Sequence, residues 1–237
     1  ANLAVPTSDY TPTTVTEKSS GQTVTVYNQL PSTKGQFNDL YTNYPQLNDS
    51  FKGLELLAQK RMANHWMMMA SATFEKTLGD INTSNSSGQN TADLNNPNFT
   101  YRIGPQALEV PFFFKVDGAY EAPYGLRVGV TSQYYEGSPT LTTVSVDSTT
   151  IKLTQGTQSI AVAPYGTTRL PSIYTTDLNV TKVVRVGNRR IEPRVSIFNL
   201  FNKGAITSEF TQQGPSYGNA LTILGSRLIK LGASVTW

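Results

Sequence analysis

Along the last ten residues, LIKLGASVTW, apolar and polar positions alternate without a fault: Ile229, Leu231, Ala233, Val235 and Trp237 fall on one parity, Lys230, Gly232, Ser234 and Thr236 on the other. Strict alternation predicts a strand with one apolar face and one wet face. The same period recurs upstream. It predicts strands near 51–61, 66–77, 110–120, 125–135, 173–186, 190–201 and 227–237, with a further one near 22–28. The polar parity of these segments carries Glu55, Lys115, Asp117, Arg127, Asp177, Glu192 and Arg194. Water or polar protein must fill that side.

Two kinds of connection separate the strands. Short turns at 62–65 (MANH), 121–125 (EAPYG) and 186–190 (VGNRR) carry Asn, Gly and Pro, as tight hairpins require. The other connections, 78–109, 136–172 and 203–225, are long and rich in Gly, Ser, Thr, Asn and Pro. Short turns at one end and long polar loops at the other are the asymmetry of an outer-membrane barrel. With the short turns taken as periplasmic, Trp66, Tyr120 and Trp237 fall near the periplasmic ends of the apolar parity, and Phe74, Phe112, Tyr134 and Tyr174 near the outer ends. Two aromatic girdles on one face are what interfacial anchoring asks for. Lys182 interrupts the apolar parity four residues before a short turn, and is expected to snorkel towards the headgroups.

Composition narrows the choice. Charged residues make up 15% of the 237 residues and aromatic ones 10%, which separates the chain from disordered sequences, whose charge is higher and aromatic content lower. The net charge of +3 comes without a dense basic patch, so nucleic acid is not an expected partner. Cysteine is absent, which excludes disulfide frameworks and thiolate metal sites. No apolar run reaches the ~18–20 residues of a membrane-spanning helix; barrel strands need only ~9–11 each. His65 is the only histidine and lies in a short turn, so a histidine metal site is not expected. The methionines at 67–69 must alternate between faces in a strand and read as packing. With no phosphate loop, nucleophile elbow or zinc signature, no catalytic residue, metal or cofactor is expected and the chain does not read as an enzyme.

Four segments carry a family resemblance: FKGLELLAQKRMANHWMMMASATFEK, FKVDGAYEAPYGLRVG, RLPSIYTTDLNVTKVVRVGNRRIEPRVSIFNLFNKGAI and YGNALTILGSRLIKLGASVTW. They resemble the C-terminal part of a TonB-dependent receptor barrel of the Oar-like kind. The resemblance implies an all-β fold: an antiparallel transmembrane β-barrel of the outer-membrane type, present as a C-terminal portion of about 8 strands, in the outer membrane of a diderm bacterium. It implies that residues 1–21 form an irregular or extracellular segment and 22–237 barrel strands and loops. It also implies that Lys230, Gly232, Val235 and Trp237 form the signal read by the barrel assembly machinery.

The partners so implied are outer-membrane lipid, the remainder of the receptor with its plug and N-terminal strands, and the TonB complex acting through that plug. The absence of initiator Met and of a signal segment suggests processing, or a piece of something longer. The expected function is uptake of a scarce ligand, a siderophore, glycan or peptide. A surface scaffold or adhesin, and a small passive barrel, are the alternatives. A wall of about 8 strands would have two open edges, so 228–237 is expected to pair with 190–201 on one side only; closure onto 22–28 or 51–61 would favour the passive barrel.

Overall fold

A computed structural model describes residues 1–40, 45–81, 93–106 and 109–237. Among them the regular structure is strand with a few single-turn 3₁₀ segments. In chain order the strands are β1 (Tyr10–Thr16), β2 (Thr23–Gln29), β3 (Ser50–Ala63), β4 (Trp66–Asp80), β5 (Ile103–Gly104), β6 (Phe112–Ala122), β7 (Leu126–Tyr135), β8 (Pro139–Thr140) and β9 (Thr143–Val146). They continue with β10 (Gln158–Ala161), β11 (Thr168–Arg169), β12 (Ile173–Lys182), β13 (Val184–Val186), β14 (Arg189–Phe198), β15 (Ile206–Glu209), β16 (Ala220–Ile223) and β17 (Leu228–Thr236).

Seven long strands run up and down in chain order, β3-β4-β6-β7-β12-β14-β17, each antiparallel to the next. The short β13 carries the β12 pairing on along β14, and β5 adds to the end of β4. The register keeps its parity across the break at Val183, because Thr181 faces Arg194 and Val184 faces Ile191. Among the described residues β17 pairs with β14 alone, and β3 with β4 alone, so the sheet is open at both edges.

Each short turn has a local cause. Asn64 and His65 both take positive φ (53° and 67°), the geometry of a two-residue turn that matches strand twist. At Gly125 (φ 75°) a Cβ would lie 2.9 Å from the Val183 carbonyl, so the turn after β6 requires glycine as well as favouring it. Gly187 (φ 60°) opens the third turn.

The loop end departs from the sequence expectations. Residues 10–16, placed in an irregular or extracellular segment, form a strand, and 22–28 is a strand that pairs with it rather than with the large sheet. Two of the connections read as long polar loops, 136–172 and 203–225, contain the pairs β9–β10, β8–β11 and β15–β16. Of the connection 78–109, residues 82–92 and 107–108 lie outside the described residues. The reason for the difference is burial. Val24 and Val26 of β2 pack on Val144 and Val146 of β9, Ile160 of β10 and Leu153, and this is the hydrophobic core of the described chain. Valine alternation in these short strands hides one face of each hairpin against the other. The core therefore lies in a cap beyond the loop end of the sheet, while the sheet's own apolar face is uncovered, with Leu54 56% and Leu231 75% exposed.

Candidate functional site

The sheet presents two faces and a cap, and each has its own chemistry. On one face successive cross-strand rows are apolar. Met68, Gly118, Val130, Leu178, Ile197 and Ile229 form one row; Trp66, Tyr120, Val128, Val180, Val195 and Leu231 form the next. Aromatic side chains bracket these rows. Trp66 stands opposite Tyr120 at the short-turn end, and Trp237 follows Thr236 at the same end, 90% exposed. At the loop end Phe74 lies 5.0 Å from Phe112 and Phe112 5.8 Å from Tyr134, ring centre to ring centre, and Tyr134 stands opposite Tyr174. From Trp66 to Phe74 is about 26 Å along the strand.

Two lysines on this face bend towards the short turns. Lys182, in register with Leu126, donates from Nζ to the backbone carbonyl of Tyr124. Lys60 donates to the carbonyls of Ala63 and Trp66 at 2.8 and 2.9 Å and lies 3.9 Å from the Trp66 ring centre. Both cations find acceptors in turn backbone and leave their strand positions to their aliphatic stems.

The opposite face carries every polar residue that the alternation placed there. Lys115 pairs with Asp117 at 3.3 Å, and Asp117 accepts the Thr131 hydroxyl at 2.7 Å. Arg127 lies 3.3 Å from Glu121 and 4.0 Å from Glu192, and Glu192 also pairs with Arg190. Arg194 makes no ion pair among the described residues; it is Arg190, two rows nearer the turn, that pairs with Glu192. Glu55 is exposed on β3 without a partner among the described residues. Arg127, Arg185 and Arg190, with Glu121 and His65, line a 610 Å³ hollow at the short-turn end. Lys230 and Gly232 lie on this polar face, opposite Ser196 and Arg194, whereas Val235 lies on the apolar face opposite Ile191.

Asp177 has a structural task instead. It accepts the backbone N–H of Asn199 at 2.8 Å, and Asn199, buried and with φ 51°, closes the turn after β14. The Asn199 amide group donates to the carbonyls of Lys203 (3.1 Å) and Gly225 (2.9 Å), while its oxygen accepts the Lys203 N–H (2.9 Å). Asn202, also at positive φ, accepts the Arg227 N–H at 2.9 Å. The F-N-L-F-N run, expected as the end of a strand, is thus a turn that ends β14 and anchors the residues entering β17. Two asparagines three residues apart were the available signal, since Asn tolerates the left-handed region.

The cap is knitted by polar contacts around its valine core. Asn98 exchanges two 2.8 Å hydrogen bonds with the backbone of Tyr27, Gln155 donates to the Tyr27 carbonyl at 2.6 Å, and Gln213 donates its N–H to Thr143 at 2.7 Å. Glu109 clasps the cap to the sheet, accepting from the Thr77 amide and hydroxyl (2.9 and 2.8 Å) and from Arg169 (2.6 Å). Burial pushes the Glu109 carboxyl up, but Thr77 and Arg169 outweigh it and hold the group below its ordinary value. At the β1–β2 turn Glu17 accepts the Ser19 amide and hydroxyl and the Ser20 amide, which hold its carboxyl down to about 2.

No protein-family model matches the chain, and no curated protein matches it either. Solved structures are similar to it. The siderophore receptor PiuA from Acinetobacter baumannii is 17% identical at a TM-score of 0.47, over 79% of this chain and 22% of its own. FpvA of P. aeruginosa, solved bound to heterologous pyoverdines, is 14% identical at 0.43, over 79% and 20%. The outer membrane transporter YddB from Escherichia coli is 13% identical at 0.49, over 95% and 28%. The chain therefore spans between a fifth and three-tenths of the length of these structures.

Proposed function

We propose that this chain is the C-terminal part of the wall of a TonB-dependent receptor barrel in the outer membrane. In that receptor it contributes to the uptake of a scarce ligand, a siderophore, glycan or peptide. The observation that carries the reading is the uncovered apolar face bounded by two aromatic rows. A water-facing sheet would expose there an apolar patch far beyond the few hundred Å² usual for a soluble monomer. At the ~35–45° tilt of outer-membrane strands the ~26 Å between the rows spans about 20 Å of height, of the order of the ~25 Å apolar band of such a barrel.

In this reading the chain does no chemistry. The polar face with its Arg127–Glu121–Glu192–Arg190 network lines the lumen, and the plug and the TonB complex act from outside the chain. Lys230, Gly232, Val235 and Trp237 serve the barrel assembly machinery. The unpaired edges of β3 and β17 receive the other strands of the receptor, because hydrocarbon cannot satisfy free backbone groups. The passive small barrel needs β17 to close onto β3 or 22–28, a pairing absent among the described residues.

A surface scaffold or adhesin is the second reading, and the cap with its own valine core favours it, since such a cap offers a rigid exposed surface. The test is uptake in cells. The full-length gene product should fractionate with the outer membrane, shift its gel mobility on heating, and support growth on a ligand-limited medium only when TonB is active. Outer-membrane residence with growth indifferent to TonB would favour the scaffold.

A further inference from the structure

The apolar face sorts its charges by sign. Strand positions of that parity hold Lys52, Lys60, Lys76, Lys182 and Arg189, while Glu55, Glu75, Asp117, Glu121, Asp177 and Glu192 all have the opposite parity. Asp80, at the end of β4, is the acidic exception and pairs with Arg102 at 3.1 Å. Lys60 and Lys182 at the short-turn end are satisfied by turn carbonyls.

Lys52 and Lys76 are different. They stand directly opposite each other on β3 and β4, both exposed, and neither makes a hydrogen bond or ion pair among the described residues. Like charges placed directly opposite destabilise a strand pair. An anion between the two ammonium groups reverses the sign of that interaction.

Their position says which anion. The pair lies one row beyond Leu54 and Phe74, about 7 Å further along the strands, where the aromatic row of the loop end stops. Leu54, Phe74 and Pro111 form the apolar wall of an open 380 Å³ cleft whose remaining lining is Lys52, Lys76, Gly53 and Glu75, the last on the opposite parity with its carboxylate accepting the Val110 N–H at 2.7 Å. A free phosphate would meet the two lysines and leave this wall wet. A phosphate with an acyl chain attached would use both. Resting on the reading of this face as lipid-facing, we propose that Lys52 and Lys76 clamp the phosphate of a phosphorylated lipid of the outer leaflet, its acyl chain lying over Leu54 and Phe74.

The test uses the full-length receptor in mild detergent, titrated with bisphosphorylated lipid A and followed by native mass spectrometry. K52Q/K76Q should bind the lipid at least tenfold more weakly than the parent, K60Q/K182Q should bind it as the parent does, and K52R/K76R should retain binding. Dephosphorylated lipid A should bind weakly to all of them. Equal binding by K52Q/K76Q and the parent overturns the proposal, as does displacement of the lipid by an equal concentration of inorganic phosphate. Heat-modifiable mobility confirms that each variant is folded. A receptor that fractionates with the outer membrane but binds lipid indifferently to Lys52 and Lys76 removes this proposal alone; one that does not reach the outer membrane removes the function reading as well.

Discussion

Asn199 shows how much one side chain can hold. It is buried, sits at φ 51°, and satisfies three backbone groups on two segments, so neither a shorter side chain nor a charged one repeats its bonds. Asn199→Ala should cost about 2 kcal/mol, the scale for leaving buried partners unsatisfied. Denaturant titration of the full receptor in detergent, read by heat-modifiable mobility, measures it. Glu17 makes a pH-dependent counterpart. Its folded carboxyl, held down to about 2, lies below its ordinary 4.5, so the turn contacts are fully present above about 4.5 and are lost as pH falls through about 2. The protection of the Ser19 and Ser20 amides, the ratio of the intrinsic to the observed exchange rate, should therefore be high at pH 5 and fall towards pH 2. In Glu17→Gln that protection should be missing at pH 5 already. Sequence offers only the spacing of the two asparagines as a signal for Asn199 and none for Glu17, because both roles depend on a local backbone geometry that many sequences share. Parity likewise placed Glu192 and Arg194 on one face, but could not show that Arg190, read as part of a turn, is the partner of Glu192.

The long strands were legible because a period of two can be read within a single segment, and their parities in turn aligned Trp66 with Tyr120 and Phe74 with Phe112 before any pairing was known. The cap was not. Its strands are two to seven residues long, embedded in Thr- and Ser-rich stretches, and its core joins Val24 and Val26 to Val144 and Val146 across more than a hundred residues. No local window contains both halves of that contact. The valine core contains no side chain of the seven long strands, so cap and sheet should fail separately. Val26→Asp or Val144→Asp buries an unpaired carboxylate and should destabilise the cap by more than about 3 kcal/mol. Limited proteolysis of intact cells should then cut within 10–29 and 143–162, while heat-modifiable mobility of the barrel persists. Loss of both together would mean that the cap and the sheet form one cooperative unit.

At the scale of the molecule the two ends of the sheet are unequal, with short turns at one and the cap at the other. The reading of the short turns as periplasmic makes a direct prediction, tested in a receptor whose cysteines outside these residues have been replaced, since these residues contain none. Ser216→Cys, in the exposed tip between β15 and β16, should react with a membrane-impermeant maleimide in intact cells, whereas Asn188→Cys, in the third short turn, should react only after the outer membrane is opened. The reverse result would invert the topology. The cap also fixes an order of events as the chain assembles. The β1–β2 hairpin can form from neighbouring residues, but its seat at β9–β10 lies far along the chain, and closing so long a flexible loop carries an entropic cost. Once β3, β4, β6 and β7 have zipped together, the same two hairpins are already neighbours and most of that cost has been met by strand pairing. The hairpin that comes first along the sequence is therefore expected to be seated late. Until then Val24 and Val26 face water, and that interval is when the chain is most open to mispairing with a second copy of itself.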